Sequence, residues 1–78
     1  MDRKKAKQAK RLLKDGDYTA AAELFEAAGD RVHAMESWAR ARKFDRAAET
    51  AIMLGRGDAA AGYYLRGGFY IELAEFYR

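Results

Sequence analysis

Cysteine and proline are absent from this 78-residue chain, and histidine, serine and tryptophan occur once each. Without cysteine there is neither a disulfide framework nor a thiolate metal site to stabilise a small core. A single histidine leaves no His/Cys cluster for zinc and no Cys/His nucleophile pair, so neither a metal nor a cofactor is expected. Without proline, nothing removes an amide donor from a helix interior. No stretch approaches the roughly 18 apolar residues of a membrane span. The opening Met1-Asp2-Arg3-Lys4-Lys5 leads into no apolar run of signal-peptide length, so the expected location is cytoplasmic.

Half of the residues are apolar and 35% are charged, the balance of a folded chain. A chain of this length is expected to form one domain, residues 1–78, with a thin core. The formal charge of +3 is unevenly spread. Residues 1–15 hold seven Lys/Arg against two Asp, a net of +5, and the other 63 residues carry a net of −2. The cluster Lys4, Lys5, Lys7, Lys10, Arg11 and Lys14 is either a solvated helix face or an anion-binding strip.

A period of 13 residues runs through the sequence. With Tyr18, Arg31, Phe44, Gly57 and Tyr70 as equivalent starts, the position three residues on reads Ala21, Ala34, Ala47, Ala60 and Leu73. The next column is Ala22, Met35, Ala48, Ala61 and Ala74, and the seventh offset is Phe25, Trp38, Ala51, Tyr64 and Tyr77. One further column holds Gly16, Gly29, Arg42, Gly55 and Gly68. Offsets of three, four and seven trace one stripe of a helix, and glycine supplies the left-handed stop at its end. In Gly16-Asp17, Gly29-Asp30 and Gly57-Asp58 the Asp is expected to cap the following helix. The Lys43-Phe44-Asp45 junction lacks that pair and is expected to be less sharp.

The pattern predicts six helices over residues 3–14, 18–28, 31–42, 45–54, 58–66 and 69–77. Helices this short do not persist alone in water, and two- or three-residue linkers fold them back on one another. Alanine pairs let helix axes approach closely while the following ring fills the space beside them. The predicted fold is all-α: three antiparallel helical hairpins in a right-handed, solenoid-like stack. A compact six-helix, death-like bundle is the alternative, although a closed bundle has no reason to repeat its small-residue columns.

The segment Gly16-Asp17-Tyr18-x-x-Ala21-x-x-x-Phe25-x-x-Ala28 resembles the second helix of a tetratricopeptide repeat, and Asp30-x-x-x-Ala34-x-x-x-Trp38-x-x-Ala41 repeats the theme. Over residues 16–77 the chain is also similar to the α-solenoids of vesicle-coat, intraflagellar-transport and SNAP-type adaptor proteins. The 34-residue period and closing proline of the tetratricopeptide family are missing, so its peptide groove does not transfer. The resemblance implies a scaffold or adaptor and no chemistry.

Ser37 follows His33 by one helical turn, but no strand-turn nucleophile site or oxyanion cradle accompanies the pair. No enzymatic activity is expected. Arg56-Gly57-Asp58 spells an integrin-recognition tripeptide and Arg66-Gly67-Gly68 an RNA-associated one, but both fall on helix junctions, where turn geometry itself calls for glycine.

Six of the ten rings lie in the last sixteen residues: Tyr63, Tyr64, Phe69, Tyr70, Phe76 and Tyr77. In a stack, the face that a following unit would cover stays open. These rings either pack inward or, with Trp38 and Phe44 as further anchors, dock a partner protein or a second copy. The expected function is a non-catalytic interaction or assembly scaffold acting through this C-terminal surface. The alternative is a nucleic-acid or anionic-surface binder acting through the basic first helix.

Overall fold

A computed structural model describes residues 1–78. The chain is all-helical, in the order α1 (Arg3–Lys14), α2 (Tyr18–Ala28), α3 (Arg31–Arg40), α4 (Phe44–Met53), α5 (Gly57–Gly67) and α6 (Tyr70–Phe76). No helix is long and apolar enough to cross a membrane. The molecule measures 39 × 22 × 14 Å, and every substantial helix–helix interface joins neighbours in sequence.

The five junctions are copies of one hydrogen-bonded unit. The amides of Asp17, Asp30, Lys43, Arg56 and Phe69 donate to the carbonyls of Leu12, Phe25, Trp38, Ala51 and Tyr64 at 2.8–2.9 Å. The residue before each of these donors has positive φ: Gly16, Gly29, Arg42, Gly55 and Gly68. This is the left-handed closure that satisfies the orphan carbonyls of a helix end. The carbonyl of each donor residue then accepts the amide four residues on, from Ala21, Ala34, Ala47, Ala60 and Leu73, which starts the next helix. One helix therefore ends and the next begins within three residues, and all five sites are 13 apart.

Two expectations are corrected here. Arg42 adopts φ 60° although it carries a side chain, so the α3–α4 junction is as sharp as the others. Helix α3 consequently stops at Arg40 rather than residue 42, and α4 begins at Phe44 rather than residue 45. Capping by aspartate is confined to fewer sites than the sequence suggested. Asp30 accepts from the His33 amide at 3.2 Å, whereas Asp17 makes no side-chain cap and Asp58 sits inside the first turn of α5, behind Arg56. Asp2 caps α1 through the amides of Lys4 and Lys5. Helix α4 ends at Met53 rather than residue 54, and the remaining differences from the expected bounds are single residues at the ends of α5 and α6.

Contacts between helix ends show the direction of packing. The Asp2 amide, at the start of α1, donates to the Ala28 carbonyl at the end of α2. The end of α5 at Gly67 lies against Phe44 at the start of α4, and the start of α5 at Gly57 lies against Phe76 at the end of α6. These three pairs are antiparallel hairpins. Two apolar clusters fill the interior, one built on Ala9, Ala21, Ala22, Phe25, Ala34, Trp38 and Ala47, the other on Met35, Ala48, Ala51, Ala60 and Tyr64. The small-residue columns of the period are thus the packed surface. Ser37 and Thr50, equivalent within the period, are buried as well, and each hydroxyl donates to the carbonyl one turn earlier, from His33 and Arg46.

Candidate interaction surface at the C-terminal end

In the seventh-offset column Leu12 is half-buried, and from α2 onward exposure rises toward the C-terminal end. Phe25, Trp38 and Ala51 are 0%, 2% and 0% exposed, and each has at least two helices after it. Tyr64, with one helix after it, is 8% exposed, and Tyr77, with none, is 72% exposed. The preceding small-residue column behaves alike, since Ala22, Met35, Ala48 and Ala61 are buried while Ala74 is open to solvent.

Tyr70 and Ile71 on α6 and Leu65 on α5 are exposed as well. Tyr64, Phe76 and Tyr77 form a relay of rings from core to surface, with centroids 6.5 and 5.7 Å apart. The Phe69 ring, half-buried, crosses Gly67 so closely that an added Cβ there would lie 2.6 Å from it and 2.9 Å from Phe44. Glycine at position 67 is required by that approach. A second row, Phe44 stacked on Tyr63 at 6.3 Å, is flanked by the guanidinium groups of Arg42 and Arg66. The structure therefore separates the expected anchors: Tyr70 and Tyr77 are exposed, Phe44, Tyr63, Phe69 and Phe76 are half-buried, and two lie in the core.

Those two are corrections. Trp38 belongs to the α1–α4 cluster, its indole Nε1 donates to Glu26 at 2.7 Å, and the Arg46 guanidinium lies 4.8 Å above the ring. Tyr64 belongs to the second cluster. Its phenol is pushed above its ordinary pKa by burial first, and then by the carboxylates of Glu49, Glu72, Asp45 and Glu75. Both side chains are buried, and what Trp38 still offers lines a depression shared with Thr19, Glu23, Arg42, Lys43, Asp45 and Arg46. Sequence reasoning missed Ile71 and Leu65, which are aliphatic and so escaped a search built on rings.

The other candidate groups are placed as follows. Lys4, Lys7 and Arg11 share one side of α1 around a shallow depression of about 280 Å³ that Gln8 also lines. Lys5, Lys10 and Lys14 are exposed elsewhere along α1. The Ser37 hydroxyl points to the backbone and not to the His33 ring, which instead meets Asp30 at 2.6 Å and stacks on Phe25. In Arg56-Gly57-Asp58 the arginine is the N-cap residue of α5 and the other two open its first turn. Comparison with family models, curated proteins and solved structures returns no match to this chain.

Proposed function

We propose that this chain is a non-catalytic helical-repeat module that holds protein surfaces together, and that its contact face is the outer side of α6, built from Tyr70, Ile71, Ala74 and Tyr77. The single observation that carries the reading is the 72% exposure of Tyr77 in a column where Phe25, Trp38, Ala51 and Tyr64 are buried. A tyrosine in such a place contributes ring area to a contact while its hydroxyl stays hydrated at the rim. The expected partner presents an apolar helical face, because α2, α3, α4 and α5 bury the same column against helices.

The test is to extend the chain by one further 13-residue unit whose outer face is polar, which covers α6 as a capping helix does. Binding to itself or to a partner is expected to fall away while helical content rises. Binding that survives the extension would remove α6 from the contact.

A second reading rests on the grouping of Lys4, Lys7 and Arg11: the basic strip of α1 binds nucleic acid or an anionic surface. Titration against a generic duplex at low salt decides it. A steep loss of affinity with added salt is the expected signature, and absence of low-salt binding disposes of it.

A further inference from the structure

The α3–α4 junction departs from the other four junctions in charge. Residues 42–46 hold Arg42, Lys43 and Arg46 against Asp45, a net of +2. The equivalent segments 16–20, 29–33, 55–59 and 68–72 carry −1, 0, 0 and −1 with His33 neutral. The first of the three cations stands at φ 60°, where the other four junctions have glycine. A side chain is strained in that conformation and glycine is not, so the turn by itself favours glycine over Arg42.

All three cations line one depression of about 460 Å³, together with Thr19, Glu23, Trp38 and Asp45. That volume is in the range of small-ligand clefts. Part of the lining is already fixed in place: the Arg46 guanidinium lies 4.8 Å from the centroid of the Trp38 ring, and the buried indole is tied through Nε1 to Glu26. Thr19 adds a hydroxyl. Ser37 and Thr50 turn theirs to backbone carbonyls one turn earlier, whereas the half-buried Thr19 hydroxyl has no hydrogen-bond partner within the chain.

Two carboxylates share the depression, and the lining keeps a net of +1: three cations less Glu23 and Asp45. Glu23 recurs as Glu36, Glu49 and Glu75 at the equivalent place in other units, so it belongs to the repeat, unlike the cations. Neither carboxylate comes within 4 Å of a lysine or arginine nitrogen, and the donors of Arg42, Lys43 and Arg46 stay without an anionic partner. Guanidinium forks and an ammonium suit the oxygens of a tetrahedral anion. Attraction to each cation doubles when the anion carries two charges, which favours a dianion over chloride or a carboxylate.

We propose that this depression at the α3–α4 junction binds a dianionic phosphate group, free or as a monoester, with Arg42, Lys43 and Arg46 on its oxygens and the Thr19 hydroxyl donating to it. The site uses no residue of α6 and stands apart from the contact face there.

Trp38 is the only tryptophan and lines the depression, so its fluorescence reads occupancy, with calorimetry alongside for binding that leaves the ring unperturbed. The full chain is titrated with inorganic phosphate and with glycerol phosphate above neutral pH at fixed ionic strength, against acetate and chloride. Saturable binding of both phosphates is expected, with a much weaker response to the monoanions; tighter binding of the ester identifies a monoester as the ligand, and equal binding identifies free phosphate.

Arg42→Gly decides the matter, because it relieves the strained backbone while removing a cation. It is expected to melt higher than the wild type and yet to bind phosphate about tenfold more weakly, the effect of losing one charge-assisted contact. Arg46→Gln and Thr19→Val are expected to weaken binding too, and Glu23→Gln to tighten it. Arg31→Gln removes the same charge outside the depression and is expected to leave affinity unchanged. Absence of saturable phosphate binding, an acetate or chloride response of equal strength, an equal loss in Arg31→Gln, or wild-type affinity in Arg42→Gly would each overturn the site.

Discussion

The Trp38 indole donates to Glu26 at 2.7 Å while the Arg46 guanidinium lies 4.8 Å over the same ring, so one side chain of α3 links α2 to α4. The hydrogen bond joins residues 12 apart in sequence and is the only side-chain to side-chain bond between different helices. Glu26→Ala and Trp38→Phe, alone and together, form a double-mutant cycle. A coupling of about 1 kcal/mol is expected for a charge-assisted bond whose carboxylate is exposed. Denaturant unfolding measures it, and strictly additive losses would show that the bond does not contribute.

Arg42 is the one non-glycine residue at positive φ. The left-handed region costs a residue with a side chain about 1–2 kcal/mol. The exposed stacking of its guanidinium on Phe44, 5.7 Å from the centroid, offsets about 0.5 kcal/mol. Arg42→Gly is therefore expected to stabilise the fold by about 1 kcal/mol, raising Tm by roughly 4–8 °C for a domain of this size. Gly55→Ala, whose Cβ would meet open space, is expected to lower stability by a similar amount through backbone strain alone. Thermal melts of both check the sign.

Ala48 and Ala74 occupy the same column, one fully buried and the other exposed. Enlarging Ala48 to Leu overpacks a helix contact and is expected to cost about 1–3 kcal/mol. Ala74→Leu is expected to stay within about 0.5 kcal/mol of the wild type in the monomer. Equal losses at the two sites would mean that α6 is covered after all.

Burial raises the Tyr64 pKa in the folded chain above its ordinary value, so the fold favours the neutral phenol. The stabilisation is complete below the unfolded-state pKa of about 10 and is lost as pH rises through the folded-state value. Wild-type Tm is accordingly expected to fall more steeply above about pH 10 than that of Tyr64→Phe, which has no proton to lose there. Parallel slopes in the two proteins would remove Tyr64 as the cause.

Helix number and the packed columns were legible in the sequence because a 13-residue period fixes both where small side chains recur and where chains turn. The same period already assigned Trp38 and Tyr64 to the packed column, and their burial follows from position more than from residue type. The conformation of Arg42 was not legible from its identity, since arginine has no preference for positive φ; only its place among four glycines pointed there. Aspartate after glycine misled at Asp17 and Asp58, because the junction closes through backbone amides and needs no carboxylate.

Because every junction repeats the same backbone closure, whole units are interchangeable without redrawing the turn. Parity then becomes a physical variable. One additional unit reverses the direction in which the chain leaves the stack, whereas two restore it and lengthen the molecule by a hairpin. Lengthening by pairs therefore preserves which side a fused domain emerges from, and an odd insertion moves it across the slab.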